Sequence, residues 1–268
     1  MPMLDGATQP NALPLLRRWV VDYFNRHDPA ACADFIAPDY ALHIGDTVFA
    51  GRDIEWLPAV DAQMRLFPGL AMTVHKTLAG PGWAAAYFSE HGASGGKSAV
   101  WSGIGIYHAK GGILTGCVAQ EDYMTRQRQL KSGVPDPAEP PALAPWDIAE
   151  AAPNEANEAV VSHWLTTGWP TAHQGVVVDD EHITGTPLRF ETERVEIGVI
   201  HSAGQHVVFH AIQHGRYRGG LDKVEGQGQP AHLHCNGLLR LEEGRVRSGR
   251  VIRDRLALQA LLRKGDAR

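Results

Sequence analysis

The chain has 268 residues, of which 44% are hydrophobic and 21% charged, a composition that suits one large or two ordinary globular domains. Its net charge is −5 with scattered Lys and Arg, so no basic surface for nucleic acid is expected. Three cysteines without a C-x-x-C pair, no run of ~18 apolar residues and no secretory pattern at the start together predict a cytoplasmic protein that does not bind membranes.

The first half begins with helices and ends with strands. Apolar residues at helical spacing predict a helix over 13–25, and a second short helix is expected over 29–38. A hairpin over 40–51 precedes a third helix over 53–69, in which Pro58 must lie near the first turn. Four alternating, glycine-punctuated segments then predict an antiparallel meander; they cover 71–78, 83–91, 99–107 and 113–123. This order indicates an α+β fold.

A proline-rich segment divides the chain into two related halves. Six prolines lie in 131–153, a density that favours a semi-rigid spacer between domains at 1–130 and 154–268. Residues 105–133 align without a gap with residues 237–265, an offset of 132. Two earlier strands, which carry His91 and His214, align with an offset of 123. Identical pairs include Gly105/Gly237, Gly112/Gly244, Asp122/Asp254 and Gln127/Gln259. We expect a duplicated fold whose second copy lacks the third helix.

Both halves end in a glycine turn, an apolar strand and an Asp. In the first half these are Gly112, the strand that follows it and Asp122, with Gln129 and Leu130 seven and eight residues further on. An earlier strand carries His91 in "SEHGA". This layout resembles the SnoaL-like polyketide cyclase group of the nuclear transport factor two-like superfamily, in tandem duplication. The resemblance covers most of 12–130 and, more weakly, 154–265.

The resemblance implies a specific architecture. Each half would be a cone-shaped domain, a curved antiparallel sheet with N-terminal helices, known as the nuclear transport factor two-like or cystatin-like roll. Members commonly pair sheet to sheet, so the tandem chain is expected to form an intramolecular pseudo-dimer. Association into a homo-oligomer is left open.

The resemblance also implies cofactor-free acid/base chemistry on hydrophobic, aromatic or polycyclic small molecules. The reaction would be of lyase, cyclase or isomerase type, with C–C cleavage of a lignin-derived diaryl compound as one form. Imidazole has a near-neutral pKa, and a carboxylate reaches such a pKa by burial. The proton-transfer candidates are therefore His91 with Asp122 in the first half and His214 with Asp254 in the second.

Strand alternation suggests the walls of the pocket. Trp83, Tyr87 and His91 share one face of a strand, which we expect to be concave; a convex face would instead be a solvated or domain-packing surface. Because the first half keeps its third helix, we expect its pocket to be the better enclosed. The candidates for substrate binding are Tyr40, His43, Trp83, Tyr87, Trp101, Tyr123 and His210.

Histidines of the second half offer a different hypothesis. His232 and His234 share a strand face, and His210 or His214 could complete a three-histidine metal site. The segment "GQGQPAHLH" fits the opening of the cupin metal-binding signature. The Glu that this signature expects three or four residues after His234 is missing, so we predict no metal and no cofactor. A mononuclear metal enzyme and a non-catalytic binding or scaffolding protein remain the alternatives.

Overall fold

The computed structural model describes residues 11–149, 151–167 and 175–266. Residues 1–10, on which part of the targeting prediction rests, lie outside these ranges. None of the helices within them is both long and apolar enough to cross a membrane.

In the first half, helices cover one face of a curved six-stranded sheet. The helical elements are α1 (Leu13–Arg18), which continues as π-helical turns over Trp19–Phe24, a 3-10 turn over Pro29–Asp34, π-helical turns over Arg52–Trp56 that lead into α2 (Leu57–Leu66), and α3 (Tyr123–Ser132). The strands are β1 (Ile36–Ile44), β2 (Thr47–Ala50), β3 (Ala71–Gly80), β4 (Trp83–Ser94), β5 (Lys97–Lys110) and β6 (Ile113–Glu121). Their order is β2-β1-β6-β5-β4-β3. Only the pair β1 and β6 is parallel in this sheet.

In its described residues, the second half repeats this layout with fewer elements. It contains α4 (Glu155–Thr167), β7 (Val176–Val178), the single turn α5 (Glu181–Thr184), β8 (Arg189–Ala203), β9 (His206–Gly219), β10 (Pro230–Glu242), β11 (Arg245–Arg253) and α6 (Arg255–Asp266). The strand order is β7-β11-β10-β9-β8, with β7 parallel to β11. Within the described segment 175–203, no long helix precedes β8. The prediction of two curved sheets in an α+β fold is confirmed.

Strand registers correspond between the halves. Gly105 pairs with Ala119 in the first sheet, and Gly237 pairs with Val251 in the second. Likewise, the pair Tyr87–Ile104 corresponds to His210–Asn236. These equivalences follow the two sequence offsets and fit a tandem duplication. The domain boundaries 1–130, 131–153 and 154–268 remain predictions.

The two sheets pack against each other through their outer faces. Asn236, fully buried, donates its side-chain amide to the carbonyl oxygens of Ile104 at 2.9 Å and Val118 at 3.0 Å. His210 Nδ1 lies 2.8 Å from the Asn236 side-chain oxygen, so this buried amide has partners on both sides. Apolar residues surround it from both halves, namely Leu78, Trp83, Ala85, Tyr87, Ile104, Ile106, Ala203, Val208, Leu238 and Ile252.

A buried ion cluster forms a second connection. Arg255, where α6 begins, donates to Asp122 of the first half at 2.6 Å and to Asp180 of the second half at 2.7 Å. Arg253 beside it donates to Asp179 at 2.7 Å. Charges taken out of water need such partners, since an unpaired buried ion is costly. The cluster therefore fixes α6 against the first half.

Candidate active site

A cavity of about 450 Å³ lies between the helices and the inner face of the first sheet. Its volume suits a small organic molecule. Most of the wall is apolar, and aromatic rings from the helices and the sheet form much of it: Trp19, Phe24, Tyr40, Trp56, Phe88 and Tyr107. Such a surface favours flat, hydrophobic ligands, because aromatic faces bury large areas and stack.

Two carboxyl groups face this cavity from β4 and β6, the strands on either side of β5. Glu90 of β4 is 2% exposed, and Glu121 ends β6. Gln63 of α2 donates its side-chain amide to Glu90 at 3.0 Å, while the Trp101 indole N–H donates to Glu121 at 3.0 Å. The Tyr123 hydroxyl also hydrogen-bonds Glu121. Polar groups in this wall are thus few and held in place.

The two carboxyl groups are hydrogen-bonded to each other. Burial raises the pKa of Glu90 well above its ordinary value, and the charge of Glu121 raises it further. Burial also raises the pKa of Glu121, against the hydrogen bond from Trp101 and the nearby charge of Arg126. Two adjacent carboxyl groups and one Arg side chain together carry no net charge when the carboxyl pair retains one proton. We therefore describe Glu90 and Glu121 as a carboxyl pair that titrates as one unit.

Arg126 connects this pair to the aromatic wall. Its guanidinium carbon lies 4.2 Å from the ring centroid of Tyr123 and 5.1 Å from that of Trp101. The residue belongs to α3, which begins after Asp122 because the Asp122 carboxylate accepts from the Thr125 backbone N–H at 3.1 Å. The helix cap thereby sets the position of a cation next to the carboxyl pair.

The second half contributes part of the cavity wall. Asp254 and three residues of α6, Leu256, Ala257 and Ala260, line it. Asp254 also caps α6 by accepting from the Ala257 N–H at 3.0 Å. Burial raises the pKa of Asp254. The hollow in the first half is thus bounded by a helix of the second half.

His91 and Asp122 do not form the expected pair in this cavity, because neither residue lines it. Asp122 is 3% exposed and is neutralised by Arg255. His91 lies on the outer face of β4 with its Nε2 buried and without a hydrogen-bond partner among the described residues. Burial lowers the His91 pKa, with His75 as a further cause. A shared proton-transfer role for these two residues has no geometric support.

The expectation that Trp83 and Tyr87 line a concave pocket is also wrong. Trp83 stacks on His201 of the second half, with ring centroids 4.9 Å apart. The Tyr87 hydroxyl donates to Glu139 at 2.5 Å. Both rings lie in the interface between the sheets, because β4 is buried on both faces.

The other predicted binding residues divide between the two environments. Tyr40 and Tyr123 line the cavity. Trp101 does not line it, but its indole N–H donates to Glu121 in the cavity wall. His43 is exposed on β1 and does not line the cavity. His210 is buried at the interface, where burial lowers its pKa to about 4.

The second predicted pair, His214 and Asp254, is divided in the same way. His214 lies near Glu196, with 3.6 Å between its Nε2 and a carboxylate oxygen, and it is absent from the cavity wall. Asp254 is the one member of the four catalytic candidates that reaches the cavity.

Two histidines of β10 meet an aspartate of the first half. His232 Nε2 lies 2.7 Å from one Asp46 oxygen and His234 Nε2 lies 3.0 Å from the other. Asp46 is at the tip of the β1–β2 hairpin, whose flanking residues Ile44 and Thr47 line the cavity. Of the described residues, these three form the group of donors close enough to hold a metal ion. The predicted third ligand, His210 or His214, does not belong to this group.

Comparison with known proteins agrees with the fold. Residues 16–116 match the family model described as a SnoaL-like domain. This segment of the first half is thus similar to SnoaL-like domains. No curated protein matches the sequence.

Solved structures resemble less than half of the chain. IdmH of Streptomyces antibioticus, described as "a putative polyketide cyclase", is 19% identical over 44% of this chain and 96% of its own, with a TM-score of 0.41. A "putative polyketide cyclase" of Acidithiobacillus ferrooxidans is 19% identical over 49% of this chain and 100% of its own, with a TM-score of 0.42. A Xanthomonas campestris protein with a cystatin-like fold is 16% identical over 45% and 97%, with a TM-score of 0.39.

Sequence reasoning missed the carboxyl pair of the first half by one residue at each position. Glu90 precedes His91, and Glu121 precedes Asp122. Neighbouring residues of a strand point to opposite faces, so choosing the adjacent residue selects the opposite side of the sheet. A charged residue inside an otherwise apolar strand, as in "AAAYFSE", is the signal that could have identified Glu90.

Proposed function

We propose that the chain is an acid/base enzyme that acts on a hydrophobic, aromatic small molecule bound in the cavity of the first half. The observation that supports this most directly is a buried carboxyl pair at the wall of an aromatic-lined cavity. Strongly shifted titratable groups in a cleft are common at active sites. Such a pair can supply both the proton donor and the proton acceptor of a reaction.

The proposed step is the transfer of a proton from a carbon next to a carbonyl group. Glu121, ionised, removes the proton from that carbon, while Glu90 gives its proton to the carbonyl oxygen. The substrate becomes an enol, and the pair still holds one proton, so no charge is created in the cavity. Arg126 offsets the carboxylate charge. Cyclases, isomerases and lyases that form or cleave bonds next to a carbonyl share this step.

The pH profile should reflect the pair as a unit. Activity requires Glu90 to be protonated and Glu121 to be ionised, so the rate should fall on both sides of an optimum. Because burial raises both pKa values, we expect the acidic limb of the profile to lie above the usual pKa range of Glu.

Hydrogen exchange provides a direct test of proton abstraction. The probe is 2-tetralone, a bicyclic aromatic ketone, incubated with enzyme in D₂O and followed by proton NMR. We expect exchange above the buffer rate, reduced at least ~10²-fold in both Glu90→Gln and Glu121→Gln, since a general acid or base contributes ~10²–10⁴-fold.

The control is Glu243→Gln, which changes a glutamate that is 86% exposed in the second half. It should exchange the probe at the wild-type rate. Retention of full exchange in both cavity variants would rule out the carboxyl pair as the catalytic groups. Binding of the probe, measured by quenching of tryptophan fluorescence, without exchange by the wild type would favour a ligand-binding protein.

The finer proposal is that the substrate is a lignin-derived diaryl compound that loses formaldehyde. The aromatic walls suit an aryl ring, and removal of a carbon beside an aryl-substituted position again requires an acid and a base. Incubation with such compounds, mass spectrometry of the products and chemical trapping of formaldehyde would test it. Turnover of cyclic ketones without formaldehyde from any diaryl compound would favour isomerase or cyclase chemistry.

A further inference from the structure

We propose that Asp46, His232 and His234 form a binding site for a divalent transition-metal ion of the zinc class, which joins the two halves beside the cavity. The site is distinct from the carboxyl pair, and none of its three residues lines the cavity. It would hold the tip of the β1–β2 hairpin against β10.

The geometry is that of a three-ligand site. One donor atom from each residue lies within 4.8 Å of the other two, and each Nε2 already faces a different oxygen of the same carboxylate. Zinc–nitrogen distances of about 2.0–2.1 Å and zinc–oxygen distances of about 2.0–2.2 Å could be reached by small side-chain rotations. Imidazole with a carboxylate is a donor set that suits zinc.

The surroundings favour a cation. The side chain of Asp46 is 65% exposed and that of His232 is 33% exposed, so an ion can enter from solvent, whereas His234 is 11% exposed and fixed in the strand. Asp254 lines the same small hollow and adds a second carboxyl group near the site. Three protein ligands would leave one tetrahedral position for water.

The position of the site suggests what the ion would do. His232 and His234 extend from the outer face of the second sheet, and Asp46 comes from the first half. An ion bound to all three would restrain the hairpin that carries Ile44 and Thr47 to the cavity wall. We therefore assign it a structural role, in which it holds the hairpin in place for ligand binding.

Metal titration of the full chain tests the proposal. Protein freed of metal by dialysis against a chelator is titrated with Zn²⁺ in competition with a chromophoric zinc indicator, and Co²⁺ is titrated separately to record d–d absorption. We expect one saturable site per chain and a tetrahedral Co²⁺ spectrum. At a hundredfold excess over Kd, Zn²⁺ should raise the thermal midpoint by about 5–10 °C.

Three variants and two controls make the test specific. His232→Ala, His234→Ala and Asp46→Asn should each weaken Zn²⁺ binding at least tenfold; Asp46→Asn alters only an exposed turn, so it remains informative if a strand variant fails to fold. His163→Ala and His182→Ala, at exposed helical positions, should bind Zn²⁺ as the wild type does. The proposal would be overturned by the absence of one-to-one binding, or by equal binding in Asp46→Asn and the wild type.

Discussion

The two halves of the chain share a fold but differ in the polar residues at two equivalent positions of the sheet. In the first half, Glu90 and Glu121 face a cavity of about 450 Å³. At the equivalent register of the second half stand Gln213, which donates to Thr192 at 2.9 Å, and Arg253, which is paired with Asp179. One copy therefore carries a buried acid pair, and the other has an amide and a neutralised cation.

The difference indicates that the two halves have different roles. A second copy without the carboxyl pair cannot perform the proposed proton transfer, yet it provides Asp254 and α6 to the cavity of the first copy. Its outer face covers the outer face of the first sheet. The second half thus supports the first through packing and by completing its cavity wall.

Loss of the ion cluster should have the largest effect on stability. Arg255→Met removes the cation that Asp122 and Asp180 share. Asp180 keeps its ion pair with Arg128, but the buried Asp122 carboxylate is left without a cation. We expect a loss of about 3–5 kcal/mol in the free energy of unfolding, measured by guanidinium denaturation at pH 7. Arg247→Met, which breaks exposed ion pairs, should change it by less than about 0.5 kcal/mol. A similar small effect of both changes would show that the halves do not depend on this contact.

Changes at equivalent residues should show that Val251 lies in a packed core while Ala119 lies at the cavity wall. Val251 is fully buried in the second core, so Val251→Ala should cost about 1.5–3 kcal/mol of unfolding free energy. Its counterpart Ala119 lines the cavity, so Ala119→Val has room for the added methyl groups and should cost less than about 1 kcal/mol. The measurements are denaturant unfolding and binding of the apolar dye 8-anilinonaphthalene-1-sulfonate, which Ala119→Val should weaken. Equal costs at both positions would argue against open space beside Ala119.

Much of the fold follows from local patterns in the sequence. Helical spacing over 13–25 and glycine-punctuated alternation after Pro68 predict elements that the structure contains. The repeat offset of 132 predicts the equivalent pairs Gly105–Ala119 and Gly237–Val251. These features depend on neighbours along the chain and on periodicity, which a sequence displays directly.

Which face of each strand points into the cavity could not be predicted from these local patterns. Every residue from Trp83 to Glu90 is buried, because one face of β4 packs on the first core and the other on the second half. Hydrophobic alternation identifies the core face only when the other face is solvated, so both faces were equally good candidates. The contact of Asp46 with His232 and His234 could not be predicted from the sequence either, since it joins residues 186 and 188 positions apart.

The smallest expected effect concerns a histidine that stands where the first half has Tyr87. Burial lowers the pKa of His210 to about 4, below the ordinary value of about 6.5. Between these values the unfolded chain binds a proton that the folded chain does not, so His210 reduces stability as the pH falls from about 7 towards 4. Its contribution should be a loss of about 0.7 kcal/mol between pH 7 and pH 6. His210→Gln, which can still donate to Asn236, should flatten the curve of unfolding free energy against pH by this amount. Denaturant unfolding of both proteins at half-unit steps of pH is the measurement, and parallel curves would show that His210 is not held neutral in the interface between the two sheets.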